Sequence, residues 1–135
     1  MPSIFSRIVK GELPCASVYQ DEQTMAFMDI NPASKGHVLV ICKAEYPRLL
    51  DVPSELLAAV AETTQKVARA IMQALQPEGF NVLQNDGAAA GQVVFHYHVH
   101  IIPRWTDDGV RPFGRPGSAD PAELETIAAQ IRAHL

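Results

Sequence analysis

The sequence predicts one domain that mixes strands with helices. Three observations lead there: several runs of strand length that alternate or stay apolar, one long stretch whose apolar residues recur at the helical period, and a size and composition suited to a single core. The chain has 135 residues, 47% of them hydrophobic and 19% charged. Its net charge of −4 offers no basic face for nucleic acid. No apolar run approaches the ~20 residues of a membrane span, and the N-terminus lacks the apolar core of a signal peptide, so a cytoplasmic protein is expected. Cys15 and Cys42 are too few for a disulfide framework and read as small buried or half-buried residues.

Taken in order, Ser3 to Val9 reads as a short helix with Ser3 as N-cap, Ile4, Phe5 and Ile8 on one side, and Gly11 ending it. Two strands follow, roughly Ala16 to Gln20 and Thr24 to Asp29, joined as a hairpin across Asp21-Glu22-Gln23. The turn-rich Asn31 to Gly36 feeds the strand His37 to Cys42, whose near-continuous apolar character predicts a central position covered on both faces. By themselves, Asp29 before Asn-Pro is a turn residue and His37 is polar punctuation at a strand start.

A long helix is expected from near Ser54 to about Leu75. Leu56, Leu57, Val60, Thr64, Val67, Ala68, Ile71, Met72 and Leu75 form its apolar stripe, opposite Glu55, Glu62, Lys66 and Arg69, and Pro77 and Gly79 stop it. Phe80 to Gln84 reads as a strand pairing with the histidine-rich run further on. Between them, Asn85 to Gly91 is a loop of small residues whose backbone can approach a ligand and whose N–H groups can cradle a phosphate. After Pro103 the chain becomes a loop without its own core, in which Arg104, Arg111 and Arg115 read as solvated. A last helix starts at Asp120-Pro121, with Glu123 completing a capping-box pattern and Leu124, Ile127, Ile131 and Leu135 on one face.

The chemistry concentrates in His96-Tyr97-His98-Val99-His100, inside the apolar run Val93 to Ile102. Strict alternation on a strand points three imidazoles to one face, and Phe95, Tyr97, Val99 and Ile101 to the other. A metal is one reading, since His-x-His on a strand offers two nitrogens to zinc. At ~3.3 Å rise per residue, however, neighbouring histidines stand ~6.6 Å apart and the outer pair ~13 Å, so three in a straight row share one ion only with difficulty. The same row suits a central reactive imidazole flanked by two that contact an extended phosphate-bearing substrate. Spacing alone leaves both open.

The flanking residues favour the second. Gly91 to Ile102 resembles the signature of the histidine triad (HIT) superfamily, His-φ-His-φ-His-φ-φ with φ apolar, and the resemblance extends to Ala26 to Pro32, Gly36 to Ile41, and Gly79-Phe80-Asn81 leading into Asn85-Asp86-Gly87. It is closest to the Hint branch and covers most of residues 3 to 104, within a single domain of residues 1–135 whose C-terminal loop and helix span 105–135.

The resemblance implies an α+β fold: an antiparallel sheet of about five strands, one long helix, a short N-terminal helix and a C-terminal helix. It implies a homodimer through the long helix and the strand beside the histidines. Ile4, Phe5 and Ile8 would line a purine pocket, Phe27 and Ile30 would pack on the base, and Asp29 would accept from the ribose hydroxyls. His37 becomes a fourth active-site imidazole, while Asn85 and the backbone of Gly91, Gln92 and Val93 would contact the phosphate. Where many relatives carry a hydroxyl, this chain has Val93. Many bacterial relatives also carry Cys-x-x-Cys near the N-terminus, half of a structural zinc site; here Ser3 and Ser6 fill those slots, so no structural zinc is expected.

The implied reaction is attack by His98 on the α-phosphorus of a purine nucleotide, with His96, His100 and His37 positioning phosphates and stabilising charge. A nucleotidyl-histidine forms and water hydrolyses it. No metal or cofactor is required. A purine nucleoside phosphoramidase fits the Hint-like motifs; a dinucleoside polyphosphate hydrolase would use the same residues, and a nucleotide-binding scaffold without useful catalysis is the alternative from another class.

Overall fold

In the computed structural model, which describes residues 2–110 and 119–135, the strands and helices fall in the expected order. Arg111 and Arg115 lie outside the described residues. Five strands, β1 (Ser17–Gln20), β2 (Thr24–Met28), β3 (Val38–Cys42), β4 (Gly79–Leu83) and β5 (His98–Arg104), form one sheet in the order β1-β2-β3-β5-β4, every neighbouring pair antiparallel. With helices on its faces, this is the α+β architecture that the sequence led us to expect.

The two faces are covered differently. On one, Val38, Val40, Val99 and Ile101 join Val60, Val67 and Ile71 of α2 (Ser54–Leu75) and Leu124, Ile127 and Ile131 of α3 (Pro121–Arg132) in the main core. Fully burying each such side chain is worth roughly 1.5–3 kcal/mol, so this layer anchors the sheet. On the other face, Met25, Phe27, Leu39 and Ile41 pack with Phe5 of the short helix α1 (Ile4–Val9). β3 is therefore buried along its whole length between the two layers.

Local chemistry sets the boundaries. Ser3 caps α1, its hydroxyl oxygen accepting from the Ser6 N–H at 3.0 Å. α2 ends where Gln76 turns left-handed, just before Pro77. Gly36, at φ +87°, lies so close to the end of α2 that a Cβ there would run into the Leu75 side chain; this is where the turn into β3 passes under the helix. No helix among the described residues is long and apolar enough to cross a membrane.

Two expectations are corrected. The histidine strand starts at His98 rather than Val93, because residues 93–97 are pulled out of the ladder: the Gln92 side-chain amide donates to the carbonyls of Pro47 and Val94, and the Tyr97 N–H donates to the Tyr46 carbonyl at 2.7 Å. Leu135 does not extend the apolar face of α3. The helix ends at Arg132, and the tighter bonds from His134 N–H to Ile131 and from Leu135 N–H to Arg132 turn Leu135 out, leaving it exposed.

Candidate active site

His98 lies on the α1 side of the sheet, opposite Ile41 on β3, with the Phe5 ring edge-on at 5.0 Å. Its Nδ1 is 2.6 Å from the His96 carbonyl oxygen. A carbonyl only accepts, so Nδ1 carries the proton and Nε2 keeps its lone pair. Burial lowers the pKa of the ring, which stays neutral near pH 7. It is therefore a neutral imidazole whose unprotonated nitrogen is Nε2.

The same reasoning fixes the next two rings. The Ala33 backbone N–H donates to His37 Nδ1 at 2.9 Å, which places the His37 proton on Nε2. That Nε2–H points at His100 Nδ1, 3.0 Å away, and in turn places the His100 proton on Nε2. A single backbone amide thus sets a relay through two imidazoles. Burial first, and the neighbouring His98 second, push His37 down to about 4 and His100 down to about 3, so both rings are neutral. The 3.4 Å approach of His37 Nε2 to Asp29 Oδ2 is consequently a dipolar contact, not an ion pair, near neutrality.

Asp29 holds its turn and also faces the imidazoles. Its Oδ1 accepts from the Asn31 N–H at 2.8 Å, as a turn residue does, while Oδ2 is turned to the histidines; burial raises its pKa. Asp29, His37 and His100 bring ligating atoms within 4.8 Å of one another. The His37 atom that faces this cluster already carries a proton, so the lone pair an ion needs is not presented. The His-x-His pair weighed from the sequence is not the set that converges.

His96 departs from the expected row. It precedes β5, is fully buried, and has both ring nitrogens engaged: Nε2 at 2.6 Å from the Cys42 carbonyl and Nδ1 at 2.8 Å from Ser3 Oγ. Two imidazoles of the triad, with His37, make the cluster, and the third stands behind them.

Among the residues expected to bind nucleotide, Phe5 and Phe27 meet edge-on at 5.3 Å, and Ile8 packs on the same cluster. Ile4 and Ile30 are exposed, at 49% and 60%. Gln92 spends its buried side chain on the loop itself, accepting from the Gly87 N–H at 2.7 Å while donating to Pro47 and Val94, and its own N–H donates to the Gly87 carbonyl at 3.0 Å. The loop is further tied by Asp86, which accepts from the Arg48 guanidinium and the Leu49 N–H. Gly91 takes the left-handed φ of +97° that ends the short turn Ala88–Ala90, Asn85 is half-buried, and Val93 is 86% exposed.

A model of the HIT domain matches residues 10–107. The chain belongs to the HIT family. Relatives within the HIT family include adenylylsulfatase HINT3 of Arabidopsis thaliana, 38% identical over 98% of this chain and 68% of that protein. The adenosine 5′-monophosphoramidase hnt1 of Schizosaccharomyces pombe is 38% identical over 97% and 96%. Among solved structures, a Hit-like protein of Bartonella henselae superposes with a TM-score of 0.93 at 40% identity, covering 98% of this chain and 96% of that one.

Against the HIT signature, sequence reasoning missed three contributors. The Ala33 N–H, the Cys42 carbonyl and Glu45 carry no motif: two act through backbone, which every residue has, and Glu45 follows β3 in an irregular segment. Ser3 and Ser6 were singled out together by the resemblance, yet only the fold brings them to His96.

Proposed function

We propose that this HIT protein cleaves purine nucleotides at the α-phosphorus through a nucleotidyl-His98 intermediate, with an amine as the favoured leaving group. The observation that supports it most is the His98 tautomer, with Nδ1–H held by the His96 carbonyl and Nε2 left unprotonated. In the proposed step the Nε2 lone pair forms a bond to phosphorus while the bond from phosphorus to the leaving group breaks. The positive charge that develops on the ring is shared with the Nδ1–H···O=C bond and faces the Asp29 carboxylate. His100 Nε2–H, set by the relay from Ala33, is the donor available to a phosphoryl oxygen or to the departing nitrogen. Water then attacks phosphorus, the P–Nε2 bond breaks, and His98 regains its lone pair as the water's proton passes to solvent.

Phe5, Phe27 and Ile8 supply an apolar wall for the purine, with Ile4 and Ile30 at its rim, and Asp29 takes the ribose hydroxyls. Asn85 and the backbone of Gly91, Gln92 and Val93 hold the phosphate. Residues 1–135 act as one domain, in the cytoplasm, as a homodimer. An open apolar groove lined by Leu57, Ala61, Met72, Phe80 and Val82 along α2 and β4 fits the second copy. The names of the two relatives, adenylylsulfatase and adenosine 5′-monophosphoramidase, support an AMP derivative as substrate.

The test compares adenosine 5′-phosphoramidate, adenosine 5′-phosphosulfate and a diadenosine polyphosphate as substrates. Fastest turnover of the phosphoramidate, with a trapped adenylyl group on His98, is expected. Preference for the polyphosphate would overturn the leaving-group assignment, and AMP binding without turnover of any of the three would favour the scaffold.

A further inference from the structure

Four polar side chains outside the phosphate-facing cluster form a closed hydrogen-bonded set. The Cys42 carbonyl requires that His96 carry its proton on Nε2, so Nδ1 accepts, and the Ser3 hydroxyl at 2.8 Å must be its donor. Ser3 Oγ in turn accepts the Ser6 N–H at 3.0 Å. The Ser6 hydroxyl donates to Glu45 Oε1 at 2.6 Å, and the Ser3 backbone N–H donates to the same oxygen at 2.6 Å. Each donor has one short acceptor, and the Ser6 hydroxyl also lies 3.5 Å from His96 Nδ1. The set joins α1, the segment after β3 and the residue two before the candidate nucleophile.

Its position gives it leverage. His96 is out of the sheet ladder; the peptide it shares with Tyr97 is tied on its N–H side, where Tyr97 donates to the Tyr46 carbonyl at 2.7 Å, and the His96 ring, clamped between Cys42 and Ser3, is the second anchor that sets where the carbonyl points. The carbonyl of that same peptide is what holds His98 Nδ1–H. On the other side, α1 carries Phe5, whose ring lies edge-on to both His98, at 5.0 Å, and His96, at 5.9 Å.

We propose that Ser3, Ser6 and Glu45 are positioning residues for His98, acting through the His96 ring to fix the carbonyl that sets the His98 tautomer. The clasp holds by hydrogen bonds: the Ser3 and Ser6 hydroxyls are poor metal ligands, and only Glu45 and His96 among the four are good ones. Glu45 suits the task as a carboxylate: its hydrogen bonds from Ser3 and Ser6 hold it well below the usual range, at about 2, so it stays an acceptor through the working pH range. The inference rests on His98 being the nucleophile proposed above.

The experiment pairs kinetics with a readout that needs no substrate. Ser3→Ala and Glu45→Ala are compared with Ser3→Thr and Glu45→Gln, which keep a hydroxyl and an acceptor oxygen in place. Adenosine phosphoramidate kinetics should show kcat down by about ten- to a hundredfold in the alanine variants with KM changed far less, and largely restored in the conservative pair. Ring ¹⁵N spectra of His98 should show a single Nδ1–H tautomer in the wild type and conservative variants and an averaged one in the alanine variants. Wild-type kcat, or unchanged His98 ring signals, in folded Ser3→Ala and Glu45→Ala would overturn the clasp. Should His98→Ala keep full phosphoramidase activity, the nucleophile assignment fails by itself, while the ring spectra still decide whether the clasp governs the tautomer.

Discussion

β5 presents two faces that are both buried and chemically opposite. Val99 and Ile101 look towards α2 and belong to a dry apolar layer, whereas His98 and His100 look the other way, into a layer where imidazoles meet Phe5, Leu39 and Ile41. The first face needs only shape and area. The second buries titratable rings, which is unfavourable unless each nitrogen is satisfied. Among the described residues no buried side-chain nitrogen or oxygen lacks a partner, and the partners are largely backbone groups: the His96 and Cys42 carbonyls and the Ala33 N–H. The difference teaches that one strand can carry stability on one side and a prepared proton arrangement on the other, provided that the backbone nearby is spent on the rings.

The largest break of this contrast is His98→Ala. Phosphoramidate turnover should fall by roughly 10³-fold or more, about 4 kcal/mol of barrier, while the thermal midpoint changes little. A variant that keeps its rate in single-turnover measurements would separate His98 from the chemistry. Ile101→Ala, on the opposite face of the same strand, should do the reverse: destabilise by roughly 2–5 kcal/mol in urea unfolding through the cavity it leaves under α2, with kcat near wild type in the folded fraction. If both variants lose activity and stability alike, the two faces are not separable.

Acid should sharpen the contrast next. Unfolded histidine titrates near 6.5, but folded His37 and His100 are held down to about 4 and about 3. Through that window the unfolded chain binds more protons, so the contribution is fully present above pH 6.5 and drains as pH falls towards 3. Urea midpoints measured at pH 7 and pH 5 should therefore drop, on the order of 1 kcal/mol per histidine, and drop less in His100→Gln. An identical drop in that variant would place the acid sensitivity elsewhere. The smallest effect is expected on the apolar side where α2 no longer reaches: Val82 is half exposed, so Val82→Ser should shift unfolding of the monomer by no more than about 0.5 kcal/mol while weakening self-association in sedimentation.

Much of this was legible beforehand. The continuous apolar run of β3, the apolar stripe of α2, the cap at Ser3 and the hairpin of β1 and β2 all follow from patterns confined to neighbouring residues, which is why their boundaries came within a residue or two. The histidine strand was placed too early, since the apolar run begins at Val93 although Gln92 and Tyr46 draw that backbone away. Asp29 and His37 were each ambiguous alone, and gained a site only where the turn at Asn31 to Gly36 folds His37 back beside His100.

By itself, then, the sequence determined which residues alternate, which faces are apolar, and that three imidazoles are offered in one short run, because those properties depend only on side-chain type and on the fixed geometry of strand and helix. Tertiary structure decided which nitrogen of each ring holds the proton. That depends on the particular carbonyl or amide brought within hydrogen-bonding distance from β3, from the turn at Ala33 and from α1, and backbone groups are the same in every residue, so no sequence pattern announces them.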